Sequence, residues 1–131
     1  MIRYLLDTDW IIDYLNGLPR AVRRLDELKE QGLAISVVSL AELYEGIYYS
    51  TDPEGNERDL NDFLRGVTII GIDVDTCKLF GRTRGRLRST GRLVGDFDLL
   101  IGAIALHHNL TLLSNNRCHF ELIEGLRLES V

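Results

Sequence analysis

Hydrophobic residues along the chain form two patterns that alternate. Short, mainly apolar runs without polar alternation are typical of buried β-strands, and four of them occur, at residues 4–6, 33–38, 67–72 and 110–113. A shorter run at residues 126–128 predicts a fifth strand at an edge of the sheet. Between the runs, apolar residues recur every three or four positions and predict helices, at residues 10–15, 20–31, 39–49, around 60–64, from about 75 onward, and 99–106.

Residues that start and stop helices agree with this alternation. Pro19 is in the first-turn position of a helix, and Gly32 is a natural stop for it. Residues 52–56 read Asp-Pro-Glu-Gly-Asn and predict the clearest loop in the chain. Residues 91–95 interrupt the long helix that starts near residue 75. The helix at 99–106 is apolar on nearly all sides, which predicts a central position.

The alternation of strands and helices predicts the fold class. Each predicted strand is apolar throughout, which is typical of a parallel sheet covered on both faces. The sequence therefore predicts an α/β fold with a central parallel sheet of four to five strands and helices on both sides. The 131 residues contain no linker-like segment, so a single domain is expected over residues 1–131.

Composition narrows the class of protein. With 45% hydrophobic and 27% charged residues, the chain falls in the range of globular domains. Its apolar runs are far shorter than the roughly 18 residues that cross a bilayer, so we expect a cytoplasmic protein without a membrane segment. The two cysteines, Cys77 and Cys118, lack CxxC spacing and are expected to be reduced thiols.

The chain is acidic overall but contains one local cluster of arginines. A net charge of −5 argues against a protein that binds nucleic acid by bulk electrostatics. However, five arginines fall within residues 82–92, and the planar guanidinium group suits phosphate. Two interpretations stay open for this strip: a solvated helix with salt bridges, or a strip that binds an RNA backbone. The arginines concerned are Arg82, Arg84, Arg86, Arg88 and Arg92.

Residues with carboxylate or amide oxygens in their side chains follow the predicted strands. In parallel α/β sheets the working site lies beyond the carboxyl ends of the strands. Asp7 directly follows the first strand, and Glu42 lies one turn into the helix after the second. Asp96 and Asp98 open the apolar helix, and Asn116 follows the fourth strand. Four segments far apart in sequence are therefore expected to deliver oxygen atoms to one edge of the sheet.

Each of these residues also has a structural explanation. Ser, Thr and Asp at helix starts accept hydrogen bonds from free backbone N–H groups, and Ser followed three residues later by Glu is a capping box. Asn is a common turn residue. One of Asp7, Thr8 and Asp9 could cap the first helix, and Asp98 could cap the apolar helix. Ser39 and Glu42 could form a capping box, and Asn116 could be a turn residue.

Taken together, the acidic residues favour a metal site. Several carboxylates in one partly enclosed crevice repel one another, so their ionised forms are disfavoured unless a cation offsets the charge. Hard oxygen ligands suit Mg²⁺ or Mn²⁺ far better than Zn²⁺. The chemistry that follows is hydrolysis of a phosphodiester by water activated on the metal.

Four segments resemble the successive signatures of one family. LLDTDWIIDYL, VSLAELYEG, GDFDLLIGAIAL and LTLLSNN, the last followed by HFELIEGL, are similar in kind and order to those of VapC-type PIN-domain ribonucleases. The resemblance implies a PIN fold and a Mg²⁺- or Mn²⁺-dependent endoribonuclease that cleaves structured RNA as the toxin of a type II toxin–antitoxin pair. It also implies a cognate VapB-like antitoxin and a homodimer.

The resemblance assigns roles to individual residues. Asp7, Glu42 and Asp98 match the family's acids, Asp96 occupies a neighbouring position that is not always acidic, and Asn116 stands where many members have Asp. Asp7 and Asp98 are expected to hold the metal, directly or through its waters. Glu42 is expected to orient or deprotonate the attacking water. Ser114, Asn116 and Thr8 are expected to assist, and the missing acid at 116 puts a tightly held second metal in doubt.

Three other functions remain as alternatives. Asp7-Thr8-Asp9 resembles the nucleophile motif of haloacid-dehalogenase phosphatases, but only Lys29 and Lys78 could fill that family's lysine role, and neither follows a late strand. A response-regulator receiver needs a lysine in the same place, where this chain has Ser114. The third alternative is a PIN module that binds RNA or a partner without catalysis.

Histidines and aromatic residues are further candidates for a functional role. Three histidines would permit metal-free acid–base cleavage of RNA, but two of them stand where a helix terminus favours cations. The aromatic residues are expected in the core and in interfaces, in preference to base stacking. The residues concerned are His107, His108 and His119, and Trp10, Tyr44, Tyr48 and Tyr49.

Overall fold

The computed structural model describes residues 1–130, one short of the predicted end of the domain. Over these residues, strands and helices alternate as predicted. The strands are β1 (Tyr4–Leu6), β2 (Leu33–Ser36), β3 (Val67–Ile70), β4 (Thr111–Leu113) and β5 (Leu128–Glu129). The helices are α1 (Thr8–Leu15), α2 (Pro19–Leu28), α3 (Val37–Tyr48), α4 (Pro53–Leu64), α5 (Val74–Ser89), α6 (Asp96–His107) and α7 (Arg117–Phe120), with a 3-10 turn at Lys29–Gln31.

The strands of residues 1–130 form one parallel sheet in the order β3-β2-β1-β4-β5. This confirms the predicted α/β class, including the fifth strand at an edge. The chain builds outward from β1 to β3 on one side before it adds β4 and β5 on the other. The order therefore reverses between β1 and β4, and a crevice opens beyond the carboxyl ends of these two strands.

Both faces of the sheet are buried, each in its own core. Leu5 pairs in register with Ala34 and Leu112, and these residues pack mainly against α5 and α6. Leu6 and its neighbours on the other face pack against α1 to α4. Because consecutive residues of a strand point to opposite faces, two covered faces explain why the strands are mainly apolar and do not alternate with polar residues. None of the helices in residues 1–130 has the length and apolar character needed to cross a membrane.

The predicted loop at residues 52–56 is wrong, because α4 begins at Pro53. Asp52 is its N-cap and accepts a hydrogen bond from the N–H of Gly55 at 3.1 Å. Pro is favoured in the first turn of a helix, where its missing N–H costs nothing. The same Asp-Pro pair therefore starts a helix here, and the true connection is limited to the residues between Tyr48 and Pro53.

The second and third predicted strands are shorter than expected. β2 ends at Ser36, whose side chain accepts a hydrogen bond from the N–H of Ser39 at 3.0 Å and caps α3. The predicted capping box at Ser39 is therefore wrong, since this residue lies inside the first turn. β3 ends at Ile70 and lies at the edge of the sheet, where Ile69 remains 45% exposed. A β-branched run predicts a strand but not a buried place in the sheet.

Candidate active site

Asp7 lies where β1 ends, at the crevice between β1 and β4. The residue is only 5% exposed. One carboxylate oxygen accepts a hydrogen bond from the N–H of Thr8 at 2.8 Å, so that Asp7 caps α1 as expected. The other accepts a hydrogen bond from the hydroxyl of Ser114, which follows β4, at 2.7 Å. Asp7 is thus held by the first residue of α1 and by the residue after β4, and its side chain has little rotational freedom.

The electrostatics of Asp7 are unusual for an aspartate. Burial raises the pKa of its carboxyl group from 3.8 to about 7, although the hydrogen bond from Ser114 opposes the shift. The negative charge of Asp9 raises the pKa further, and that of Asp98 adds a smaller effect. Ionised Asp7 is therefore costly in this crevice without a compensating positive charge.

Asp98 is linked to Asp7 through two residues of the loop after β4. The hydroxyl oxygen of Ser114 accepts a hydrogen bond from the N–H of Asn116 at 3.0 Å. The side-chain amide of Asn116 donates to Oδ2 of Asp98, also at 3.0 Å. Asp98 is half-buried in the first turn of α6, whose cap is Gly95, so the predicted role of Asp98 as the cap is wrong. This path of hydrogen bonds brings Asp7, Ser114, Asn116 and Asp98 into one network.

Glu42 approaches the same edge from α3. The hydroxyl of Thr8 donates a hydrogen bond to Oε1 of Glu42 at 2.8 Å and lies 3.0 Å from the hydroxyl oxygen of Ser39. Glu42 also lines a shallow cleft together with Asp96 and Asp98. The second predicted acid therefore shares a cleft with the third, and Thr8, the residue after Asp7, connects it to Asp7 by donating a hydrogen bond to each carboxylate.

Asp96 lies at the rim of the site. Its side chain is 79% exposed and forms an ion pair with Arg84 of α5. Arg84 also donates a hydrogen bond to the carbonyl oxygen of Val94 at 3.0 Å, which fixes the loop before α6. Asp96 thus shares the cleft of Glu42 and Asp98 but not the network that joins Asp98 to Asp7.

Comparison with known proteins decides the family. The family model of the PIN domain matches residues 4–124. The chain belongs to the PIN-domain family. Over 130 residues it is 32% identical to Ribonuclease VapC2 of Haemophilus influenzae, covering 99% of this chain and 98% of the relative. Over 129 residues it is 33% identical to the tRNA(fMet)-specific endonuclease VapC of Shigella flexneri, covering 98% of each chain.

Solved structures agree with this assignment over the whole PIN domain. VapBC2 from Rickettsia felis, bound to a DNA fragment from its promoter, matches with a TM-score of 0.92 and 34% identity, covering 100% of this chain and 99% of that one. DNA-bound VapBC from Salmonella typhimurium matches with a TM-score of 0.91 and 29% identity, covering 99% and 98%. The resemblance to VapC-type PIN domains seen in the sequence is confirmed, and the phosphatase and receiver alternatives are excluded.

The site fits a divalent cation, which PIN nucleases generally use. Its donors are carboxylate, hydroxyl and amide oxygens, the ligand class of hard cations. Burial raises the pKa of the Asp7 carboxyl group to about 7, and the negative charges of Asp9 and Asp98 add to the shift. A cation bound between Asp7 and Asp98 would offset both charges and restore ionisation of Asp7.

Two residues beside the site were missed as participants. Asp9 accepts hydrogen bonds from the N–H of Trp10 at 2.8 Å and of Asn115 at 3.1 Å, and so ties α1 to the loop after β4. Burial raises the pKa of Asp9. His119 lies with Nδ1 2.9 Å from Oδ2 of Asp98. The second acid of the Asp-Thr-Asp triplet was a signal for Asp9, whereas His119 has no signal in spacing because α7 is only one turn long.

The other histidines of the PIN domain lie elsewhere. His107 is nine residues after Asp98 on the same helix, which corresponds to about 14 Å along the helix axis. His108 is the C-cap of α6. Metal-free cleavage by the three histidines, the less favoured alternative, therefore has no geometric basis, since of the three only His119 contacts an acid of the site.

Some residues of the arginine strip and some of the aromatic residues have structural roles, whereas others are exposed. Arg86 lies 3.5 Å from Glu124 and, like Arg84, has an acidic partner. Arg82, Arg88 and Arg92 are exposed and form no ion pair with another residue in the range 1–130. Trp10 is buried as a core residue, whereas Tyr48 and Tyr49 are exposed.

Proposed function

We propose that this chain is an endoribonuclease toxin of a type II toxin–antitoxin pair that cleaves structured RNA with Mg²⁺, or Mn²⁺, held by Asp7 and Asp98. The observation that carries the proposal is the hydrogen-bonded network from buried Asp7 through Ser114 and Asn116 to Asp98. It occurs in a chain that matches VapC ribonucleases along nearly its full length.

Asp7 and Asp98 are the residues proposed to hold the cation. When bound, the cation would lower the pKa of a coordinated water and stabilise the charge that develops on the phosphate oxygens. Ser114 and the N–H of Thr8 fix one orientation of Asp7, which limits the reorganisation needed on binding. Asn116 does the same for Asp98 and brings no negative charge, so we expect one tightly held cation.

Glu42 is proposed to orient and deprotonate the attacking water. Its Oε1 accepts the hydrogen bond from Thr8, which aims the carboxylate into the cleft that it shares with Asp98. A carboxylate within hydrogen-bond reach can act as a general base without being a metal ligand. Asp96 is proposed as an auxiliary acid at the rim of the cleft, where it pairs with Arg84.

Partners follow from the relatives. Several similar structures are named VapBC, and one, from Mycobacterium tuberculosis, is named a member of the VapBC family of toxin–antitoxin systems. We propose that this chain likewise binds a VapB-like antitoxin and forms a homodimer. We further propose that residues 1–131 act as one PIN domain. RNA is the expected substrate because one relative is named a ribonuclease and another a tRNA(fMet)-specific endonuclease.

Cleavage of RNA by the purified chain tests the proposal. We expect Mg²⁺-dependent cleavage that excess chelator abolishes and that Asp7→Asn or Asp98→Asn reduces at least 100-fold. Asp26→Asn is the matched control, because Asp26 is an exposed aspartate of α2 outside the site. Cleavage that persists in chelator, or that survives both substitutions, would exclude the proposed site. Cleavage equally lost in Asp26→Asn would point to misfolding.

A further inference from the structure

Three metal-binding side chains meet away from the candidate active site, where α5 begins and α6 ends. Asp73 is the N-cap of α5, His107 is the last residue of α6, and His108 is the C-cap of α6. One ligand atom from each lies within 4.8 Å of the other two. The proposed ribonuclease chemistry uses none of these residues.

The geometry leaves one oxygen of Asp73 facing the imidazoles. Oδ1 accepts a hydrogen bond from the N–H of Thr76 at 2.8 Å, which fixes the carboxylate. Oδ2 lies 3.0 Å from Nε2 of His107. The rings of His107 and His108 are nearly perpendicular, with centroids 4.7 Å apart. Exposure of Asp73 and His108 keeps the group open to ions from solution.

We propose that Asp73, His107 and His108 form a second cation site, selective for a borderline transition dication such as Zn²⁺. Two imidazole nitrogens and one carboxylate oxygen are a common ligand set for Zn²⁺, with water in the fourth position. Tetrahedral ligands at about 2.0–2.1 Å from zinc are roughly 3.3 Å apart. Ligand atoms already within 4.8 Å of one another reach that spacing by small side-chain rotations.

An ion pair between His107 and Asp73 is the simpler explanation for part of this group. The ion pair explains the contact between Asp73 and His107 but gives His108 no function. The metal site uses all three. A bound ion would link the start of α5 to the end of α6 and so stabilise the helical pair that covers one face of the sheet.

The proposed site is separate from the nuclease site in place and in chemistry. Asp98 and His107 are at opposite ends of α6. The nuclease site offers mainly oxygen donors, which favour Mg²⁺, whereas imidazole donors favour Zn²⁺ over Mg²⁺. The proposal does not depend on the ribonuclease activity, so either can fail alone.

The test follows the three histidine rings of the full-length chain by NMR during a Zn²⁺ titration. The sequence has only three histidines, so His119 serves as an internal reference. We expect the ring nitrogens of His107 and His108 to shift together at one equivalent of Zn²⁺. The same shifts should occur in Asp98→Asn. Calorimetry should show at least tenfold weaker Zn²⁺ binding in His108→Gln and in Asp73→Asn, which retains an oxygen for the Thr76 cap.

Other results would overturn the second site. Zn²⁺ that shifts His119 and spares His107 and His108 would assign binding to the acidic crevice. Affinity unchanged in both His108→Gln and Asp73→Asn would show that the ion pair is all that joins these residues. Cobalt absorption provides an independent measurement, since a thiolate charge-transfer band would reveal binding by the exposed Cys77 or Cys118 instead. Circular dichroism of each variant verifies that it folds.

Discussion

Asp7 combines a buried position with a charge that its surroundings disfavour. Its pKa in the folded chain is about 7, raised mainly by burial, against an ordinary value of 3.8. A group with a raised pKa stabilises the folded state fully below its ordinary value, and that stabilisation disappears as pH rises through the folded-state value. Metal-free protein should therefore lose stability between about pH 4 and pH 7 because of Asp7.

Asp7→Asn should remove this loss. In chelator above pH 7, we expect the variant to be more stable than the parent chain by at most about 4 kcal/mol, because three pKa units of about 1.4 kcal/mol each set the upper limit. Asn retains an oxygen for the N–H of Thr8 and an amide that can donate to Ser114. Urea denaturation at pH 5 and pH 8 measures the difference. An Asp7→Asn variant less stable than Asp26→Asn at pH 8 would contradict the expectation.

Thr8 tests the proposed role of Glu42 without touching an acid. Thr8→Val removes the hydroxyl that donates to Glu42 while keeping the shape of the side chain. We expect kcat for RNA cleavage to fall about 10- to 100-fold, with Mg²⁺ affinity nearly unchanged. Thr8→Ser keeps the hydroxyl and should retain most of the activity. Equal losses in Thr8→Val and Thr8→Ser would mean that packing, and not the hydrogen bond, matters at this position.

At the scale of elements, the residue types that mark a helix start predict its exact position poorly, for one physical reason. A Ser, Asp or Pro signals a change in backbone direction, but the same residues serve loops, caps and first turns. The sequence thus predicts a loop at residues 52–56, although Pro53 starts α4, and a cap at Ser39, although Ser36 is the cap of α3. The acids of the site are predicted correctly at the ends of strands and starts of helices, because an error of a few residues in the cap does not move them to another element.

The cap of α4 gives a direct test of that correction. Asp52→Ala should cost about 1 kcal/mol of unfolding free energy, because the N–H of Gly55 loses its acceptor. Asp59→Ala, at an exposed position inside the same helix, should be neutral or slightly stabilising, since Ala has the higher helix propensity. Chemical denaturation of the two variants measures both effects. If residues 52–56 formed a loop, the two substitutions would have similar effects.

Gly32 ends the helical segment before β2, as the sequence predicts. Its φ of +92° is unfavourable for other residues, and a Cβ there would lie 2.8 Å from the backbone Cα of Ile2. Gly32→Ala should therefore destabilise the fold by about 2 kcal/mol or more. Gly46→Ala in α3, where a Cβ would meet nothing within 4 Å, should raise stability by about 0.5–1 kcal/mol. Thermal melts in parallel would refute this contrast if both variants shifted the same way.

At the scale of the molecule, the fold class and the edge that holds the site followed from the sequence, whereas the strand order did not. Uninterrupted apolar strands predict two covered faces, but periodicity is the same for a central and an edge strand, so the edge position of β3 could not be read. The contacts of His119 with Asp98 and of Asp9 with Asn115 likewise depend on how β4 lies beside β1. The pairing of β1 with β4 joins segments that are far apart in sequence. The spacing of hydrophobic residues within each segment does not indicate which strands pair.

Leu5 and Leu6 test whether the two cores act as one domain. These adjacent residues of β1 are fully buried on opposite faces of the sheet, one in each hydrophobic cluster. Leu5→Ala and Leu6→Ala should each cost about 2–5 kcal/mol, because each leaves a cavity in a different core.

Both substitutions should nevertheless move a single transition. The same five-stranded sheet forms one wall of each core, so loss of either core removes the support of the other. Far-ultraviolet circular dichroism, which follows the helices, and the fluorescence of Trp10, which reports the core of α1 to α4, should change together in urea. A Leu5→Ala variant that loses helical signal before the Trp10 environment changes would mean that the α5–α6 face unfolds on its own, and residues 1–131 would then contain two cooperative units.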